Sequence, residues 1–324
     1  MKKKNILVIL ILLTISLFSI IFSISLGPTE VELSTLLGIF LNPSGADQTA
    51  NLIILDIRLP RILSAFFVGC GLAVAGAVMQ GLFKNSMADP YIIGTSSGGA
   101  LGAAISIVIF AGAGLPIFAF IGATGATLMV YVLATKNGRA PVETLLLSGV
   151  ALSMFFSAIL SFLMYNAGKS LHQIVFWLMG GFWNVGWTDA LTGLIIIFAS
   201  VFLLFFSRDL NILSLGEDDA GTLGVNVELL KKVLLVVSSL VAGIAVAIAG
   251  AIGFIGLITP HVMRLIVGPD HRVLIPSSLL AGGLFLLWAD NMTRTFFNEM
   301  PVGVITAFVG APFFLLLLRR RMKA

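Results

Sequence analysis

The side chains able to do chemistry are few and scattered. His172, His261 and His271 stand in three separate places, Cys70 is the lone cysteine, and no HExxH occurs. No carboxylate pair falls inside an apolar run, so acid-base catalysis and metal ligation both lack the clustered groups they need. Gly168-Lys169-Ser170 copies the end of a phosphate-binding loop, but Leu163 stands where that loop requires its first glycine. This argues against a nucleotide site on this chain. One cysteine gives neither a disulfide framework nor a multi-cysteine metal centre, and in apolar surroundings it reads as buried filler.

Two polar stretches could bind rather than react. In Asp56-Ile57-Arg58-Leu59-Pro60-Arg61, two arginines lie one helical turn apart, and Arg294 precedes Glu299 further on. A planar guanidinium fork suits carboxylates, while the same charge also anchors phospholipid headgroups. The residues alone leave both open. The second stretch runs from Ser214 through Glu217, Asp218 and Asp219 to Gly224. Ser214 and Glu217 have capping-box spacing, the acids suit a helix N-terminus, and Gly224 suits a C-terminal stop. With Lys231 and Lys232 anchoring the next apolar run, this reads as a short helix that touches another protein or simply connects.

Composition dictates the elements that position these residues. Of 324 residues, 58% are hydrophobic and only 10% charged, with a mean hydropathy of +1.09. A soluble domain carries charge on about a quarter of its residues. The chain therefore reads as an all-α polytopic membrane protein forming one domain over 1–324, because backbone in lipid must satisfy its own hydrogen bonds. Ten apolar runs are expected to be helical: 6–24, 62–82, 91–110, 115–134, 142–165, 191–206, 233–252, 253–267, 273–288 and 302–318. The first resembles a signal peptide faintly but is too long for one, so a retained helix is expected. The eighth, interrupted by Pro260 and His261, could instead be re-entrant; His261 is expected to satisfy backbone groups that the proline frees. Pro60 fits a first helical turn.

The net charge of +4 does not point to nucleic acid, because the cations flank apolar runs. With the N-terminus inside, fifteen of the nineteen Lys and Arg fall inside, and only Arg58, Arg61, Lys169 and Arg294 outside. That asymmetry places both termini in the cytoplasm. Ala73 to Val78 recurs as Ala247 to Ile252 five crossings later, which would make the two halves an inverted internal repeat. Gly94, Gly98 and Gly102 have the GxxxG spacing of close helix packing.

These residues carry a resemblance. Arg58-Leu59-Pro60-Arg61, Ala75-Gly76-Ala77-Val78-Met79-Gln80, Asn85, Ala88-Asp89-Pro90 and Ile93-Gly94 look like the signature of the iron-siderophore, haem and vitamin B12 importer permeases. Trp177 to Phe182, Leu223-Gly224, Gly250 to Leu257, Pro260-His261, Arg264, Asp270-His271-Arg272, Pro301 to Thr306 and Gly310-Ala311-Pro312 continue it in order. Ser86-Met87 departs from the family's Pro-Leu and puts the local turn in doubt.

The resemblance implies a type II ATP-binding-cassette (ABC) importer permease with ten helices, paired with a second permease, in the cytoplasmic membrane. It implies separate ATPase subunits and an extracytoplasmic solute-binding protein, with no catalytic residue, metal or cofactor on this chain. Arg58, Arg61 and Arg294 would receive glutamates of the binding protein. Leu213, Ser214, Gly216, Glu217, Asp218, Asp219, Gly221, Leu223 and Gly224 would belong to the helix that couples to the ATPase. Thr144, Ser148 and Ser153 would lie near the path between the two permeases. Ferric siderophore, cobalamin and haem all fit as cargo, with siderophore favoured because that class is the most numerous. The competing readings are a stand-alone secondary carrier and a membrane-embedded enzyme.

Overall fold

The computed structural model describes residues 3–29 and 48–321. Its helices are α1 (Lys3–Ser25), α2 (Leu59–Leu82), α3 (Thr95–Ile109), α4 (Leu115–Ala134), α5 (Val142–Asn166), α6 (Leu171–Leu178) and α7 (Trp187–Leu204). There follow α8 (Ser207–Leu213), α9 (Glu217–Thr222), α10 (Val227–Ala249), α11 (Ile255–Val267), α12 (His271–Phe296) and α13 (Val302–Arg321). Each of the ten apolar runs carries a helix, though the runs 91–110, 191–206, 233–252 and 253–267 are not helical throughout. Among the described residues, seven helical segments can cross a membrane by length and composition, while α3, α11 and α13 give shorter apolar helices.

α2 is the buried axis, packed by α12, α7, α10 and α11. Between membrane helices there is no transfer of apolar surface out of water to drive association, so close van der Waals approach must do it, and small residues permit it. A Cβ on Gly69 would strike the Gly282 carbonyl of α12, and one on Gly76 the Gly256 carbonyl of α11. In α3, Gly98 meets Gly122 and Gly102 meets Phe118 of α4 in the same way, as the GxxxG spacing implied. Gly94 instead turns the chain into α3, at φ +87°. Cys70 is wholly buried.

Three local expectations change. Pro60 lies in the first turn of α2, but the helical path begins earlier, through a turn at Gln48–Asn51 and a π-helical stretch Leu52–Arg58. A proline cannot donate, and the wider π turn just before it absorbs the mismatch. The seventh run ends at Ala249 rather than 252, because Gly250 (φ +69°, ψ −162°) breaks the helix. The two copies of the repeated six residues do run in opposite directions. One sits mid-helix and the other straddles that break, so their local structures differ.

α1 is bound into the bundle. Its Ser19 hydroxyl accepts from the Trp288 indole (3.1 Å) and its Ser23 hydroxyl from Asn291 (2.6 Å) of α12. Opposite ends of α2 and α12 define two poles of the molecule: an arginine end, with Arg58, Arg61 and Arg294, and a lysine end, with α8, α9 and Lys231.

Candidate functional site

The arginine end is assembled from α1, the start of α2 and the end of α12. Arg61 donates from Nε to both Asp290 carboxylate oxygens (3.1 Å each) and from Nη2 to Oδ1 (2.9 Å). Asp290 has no exposed surface. On the outer side, the Glu299 carboxylate lies 2.8 Å from Arg61 Nη2 with 38% of its side chain exposed. Arg294 donates to the Ser23 carbonyl (2.8 Å) and to Asn291 (2.5 Å). Arg58 donates to the Ile24 and Thr29 carbonyls and the Thr29 hydroxyl. All three arginines are therefore buried and bonded, not spread over the surface. Arg61 and Arg294 meet two carboxylates, Asp290 and Glu299, and Asp56 and Asp189 stand at the same end.

Asp290 and Glu299 are the residues that sequence reasoning did not pair with Arg61. A carboxylate inside an apolar run requires a cation partner, and that demand was the available signal across 229 residues.

The lysine end differs from expectation in its details. Two short helices, α8 and α9, replace a single one, and Ser214 does not cap. Its hydroxyl donates back to the Asn211 carbonyl (2.6 Å), a bond that closes α8, while Gly216 stands at the start of α9 without a side-chain cap. Glu217 is instead drawn to Lys231 Nζ (2.7 Å). The stop at Gly224 (φ +85°) forms as expected: Gly224 N–H donates to the Gly221 carbonyl and Val225 N–H to that of Ala220, the paired bonds of a Schellman turn. Leu213 and Ala220 face inward, whereas Ser214, Asp218, Asp219, Gly221, Leu223 and Gly224 are exposed.

Lys231 is not a headgroup anchor. Its side chain is 2% exposed and bridges Glu217 and Glu228 (3.0 Å), while Glu228 accepts the Ala140 amide (3.1 Å). Lys231 thus ties α9 to α10 and to the α4–α5 turn. Lys232 remains exposed. A second tie runs through Asn211 of α8. Its amide donates to Asp270 (2.7 Å), and its carbonyl oxygen meets both the backbone N–H (2.9 Å) and Nδ1 (2.8 Å) of His271. Burial works to raise the Asp270 carboxyl, but the Asn211 and Arg272 hydrogen bonds and the Arg272 and His271 charges outweigh it. The result lies below the ordinary value.

The α2–α3 loop closes the same pole. Asn85 accepts the Met87 amide and its carbonyl takes Ala88 N–H, so the turn forms with Ser86-Met87 in place. Asp89 accepts the Tyr91 amide (2.8 Å), and burial pushes its carboxyl up to about 6 despite that bond. Gln80 joins two distant stretches by donating to the Leu257 carbonyl and accepting from Arg264 (2.9 Å). His261 Nδ1 is buried without a hydrogen-bond partner among the described residues, and its ring meets Phe313 of α13 edge-on with centroids 6.4 Å apart.

On α5, Thr144 and Ser148 share one face, a turn apart. Ser153 lies on another, where its hydroxyl accepts from Ser97 of α3 (3.1 Å), so the three do not form one line. Among the described residues no group of three His, Cys, Asp or Glu side chains could hold a metal ion.

An all-α bundle with several membrane-length helices, a buried ionic cluster at one pole and an exposed, tethered helix at the other is the architecture of a multi-pass membrane protein. The chain belongs to the FecCD transport family, which it matches over residues 12–320. It is 50% identical over 280 residues to the cobalamin import system permease protein BtuC of Halobacterium salinarum, covering 86% of this chain and 76% of that one. The hemin transport system permease protein HmuU of Yersinia pestis is 41% identical over 82% of this chain and 83% of its own length. A solved structure described as an inward-facing conformation of a putative metal-chelate type ABC transporter superposes with a TM-score of 0.86 at 34% identity, covering 96% of this chain and 98% of the other. The chain is thus a FecCD-like, type II importer permease, a multi-pass membrane protein.

Proposed function

We propose that this chain is the translocation subunit of an importer for a metal tetrapyrrole, functioning as one permease domain beside a second copy. The permease relatives named for cobalamin and hemin, 50% and 41% identical, favour that cargo class over a ferric siderophore. ATP would be hydrolysed on separate subunits at the lysine end, and an extracytoplasmic binding protein would deliver cargo at the arginine end. The lysine end and both termini are then cytoplasmic, in accord with the distribution of Lys and Arg.

One observation carries this reading. The α8–α9 segment presents Asp218, Asp219 and Leu223 outward while Glu217 and Asn211 fasten it to α10 and α12. A push on α9 is therefore passed to long helices rather than lost in a loop. Leu213, Ser214, Gly216, Glu217, Asp218, Asp219, Gly221, Leu223 and Gly224 act as the coupling segment. The permeases rock between outward and inward states, and each ligand contributes only its differential affinity for those states. Thr144 and Ser148 would line the path, with Ser153 behind them. At the other pole, Arg58, Arg61 and Arg294 supply the positive field for acidic side chains of the binding protein.

Copurification in gentle detergent tests the coupling. The permease should bring an ATPase subunit with it, and joint Asp218→Asn and Asp219→Asn substitution should weaken that capture. Recovery of the permease alone, with uptake indifferent to ATP depletion, contradicts the proposal and returns the secondary-carrier reading.

A further inference from the structure

Glu299 is held in a way an ordinary connector does not require. Asn298 and Glu299 take successive φ values of +48° and +62°, a left-handed pair that a glutamate adopts only under constraint. The constraints are specific. The Glu299 carboxylate lies on Arg61 (2.8 Å), its amide donates to the Thr293 carbonyl (3.1 Å), and its carbonyl accepts the Trp183 indole N–H (2.8 Å).

The two carboxylates on Arg61 are not equivalent. Asp290 is fully enclosed and holds the Nε and Nη2 side of the guanidinium, so removing it would strand a buried cation. The Glu299 side chain is 38% exposed, although the Oε2 atom on Arg61 is itself enclosed, and Arg61 stays compensated by Asp290 without it. Arg61 Nη1 has no acceptor among the described residues. Arg58 and Arg294 add positive charge from behind. This is a place where one carboxylate can be exchanged for another.

We propose that Arg61 is a carboxylate-exchange position. The free chain fills it with its own Glu299, and an acidic side chain of the docking protein takes that place. The inference rests on the docking reading above. Exchange has a mechanical consequence, because Glu299 belongs to the turn that leads into α13. Trp183, whose indole donates to the Glu299 backbone carbonyl, packs tilted against Phe176 of α6 (ring centroids 4.6 Å apart), and the Gly303 amide of α13 donates to the Gly180 carbonyl just beyond α6 (3.4 Å). Displacing Glu299 loosens the joint between α6 and α13, whose Met179, Gly303 and Phe308 line an apolar groove with Phe254. Docking and loosening of this pole are then one event.

Glu299→Gln keeps the side-chain shape and removes the competing charge. Phenylglyoxal, an arginine reagent, should modify Arg61 several-fold faster in this variant, read by peptide mass spectrometry. Affinity for the importer's purified binding protein should rise about threefold to tenfold, the scale of one partly exposed ion pair. Trp183→Phe should leave affinity unchanged but abolish the docking-induced rise in amide exchange over 171–178. Unchanged Arg61 reactivity, or affinity that is unchanged or lower in Glu299→Gln, overturns the exchange. If Arg294→Gln still weakens docking in that case, the docking reading stands and only the exchange fails. If Arg294→Gln also has no effect, the docking reading itself fails.

Discussion

At the arginine end Arg61 and Arg294 share Asp290 and Arg61 also meets Glu299, while at the lysine end one ammonium, Lys231, sits between Glu217 and Glu228. Both poles bury a cation, but they differ in which partner is in water. Asp290 is sealed, whereas the Glu217 and Glu228 side chains are 42% and 31% exposed. If the lysine tie breaks, its carboxylates can hydrate. If the arginine tie breaks, Asp290 cannot. The first arrangement suits a joint that must flex under load, the second a frame on which only the outermost carboxylate is exchangeable.

The contrast is broken most directly at Arg61. Arg61→Ala should destabilise the protein by about 3–5 kcal/mol, because the enclosed Asp290 carboxylate loses its hydrogen-bonded partner and keeps only Arg294 at 3.8 Å. Thermal unfolding in detergent would show it as early aggregation, and Arg61→Met with Asp290→Leu should recover only part of the loss, because the buried Arg294 then loses its carboxylate. Lys231→Met should cost less, about 2 kcal/mol, since Glu217 and Glu228 rehydrate. Equal losses at both poles would erase the distinction.

Asp89 sharpens it with pH. Its carboxyl titrates at about 6 in the folded chain against 3.8 ordinarily, so the folded state holds the proton more tightly. Stability from this residue is greatest below about pH 4 and is lost as pH rises through about 6. Asp89→Asn should therefore stabilise by on the order of 2 kcal/mol at about pH 7.5, with the gain vanishing near about pH 4. Melting curves of both proteins across that range check the sign. Smallest is Asn211→Leu, which removes the clasp on Asp270 and His271 and should cost about 1 kcal/mol. Its larger mark should be functional: ATP hydrolysis by the assembled importer continuing with transport reduced.

The helices were legible because lipid forces apolar runs into helices, and the Gly224 stop because a left-handed C-terminal position selects glycine. The partners were not. Nothing local to Ser214 says that its hydroxyl turns back to Asn211, or that Glu217 reaches Lys231 fourteen residues on instead of capping a helix. Arg58 reads as an exposed cation until α1 folds over it and supplies the Ile24 carbonyl. Long-range pairing decides these roles, and residue spacing carries no record of it. Gln80 with Arg264 is the instructive exception: both lie in recognisable motifs, and the structure shows one hydrogen bond joining them.

Above all, this chain is expected to conduct but not to drive. Vesicles reconstituted with the permease alone, and with the permease plus its ATPase subunits and binding protein, can be offered labelled cobalamin or haemin with ATP at the face of the lysine end. Accumulation only in the complete assembly, abolished when ATP is withheld, is the predicted result. Accumulation against a gradient by the permease alone would contradict it.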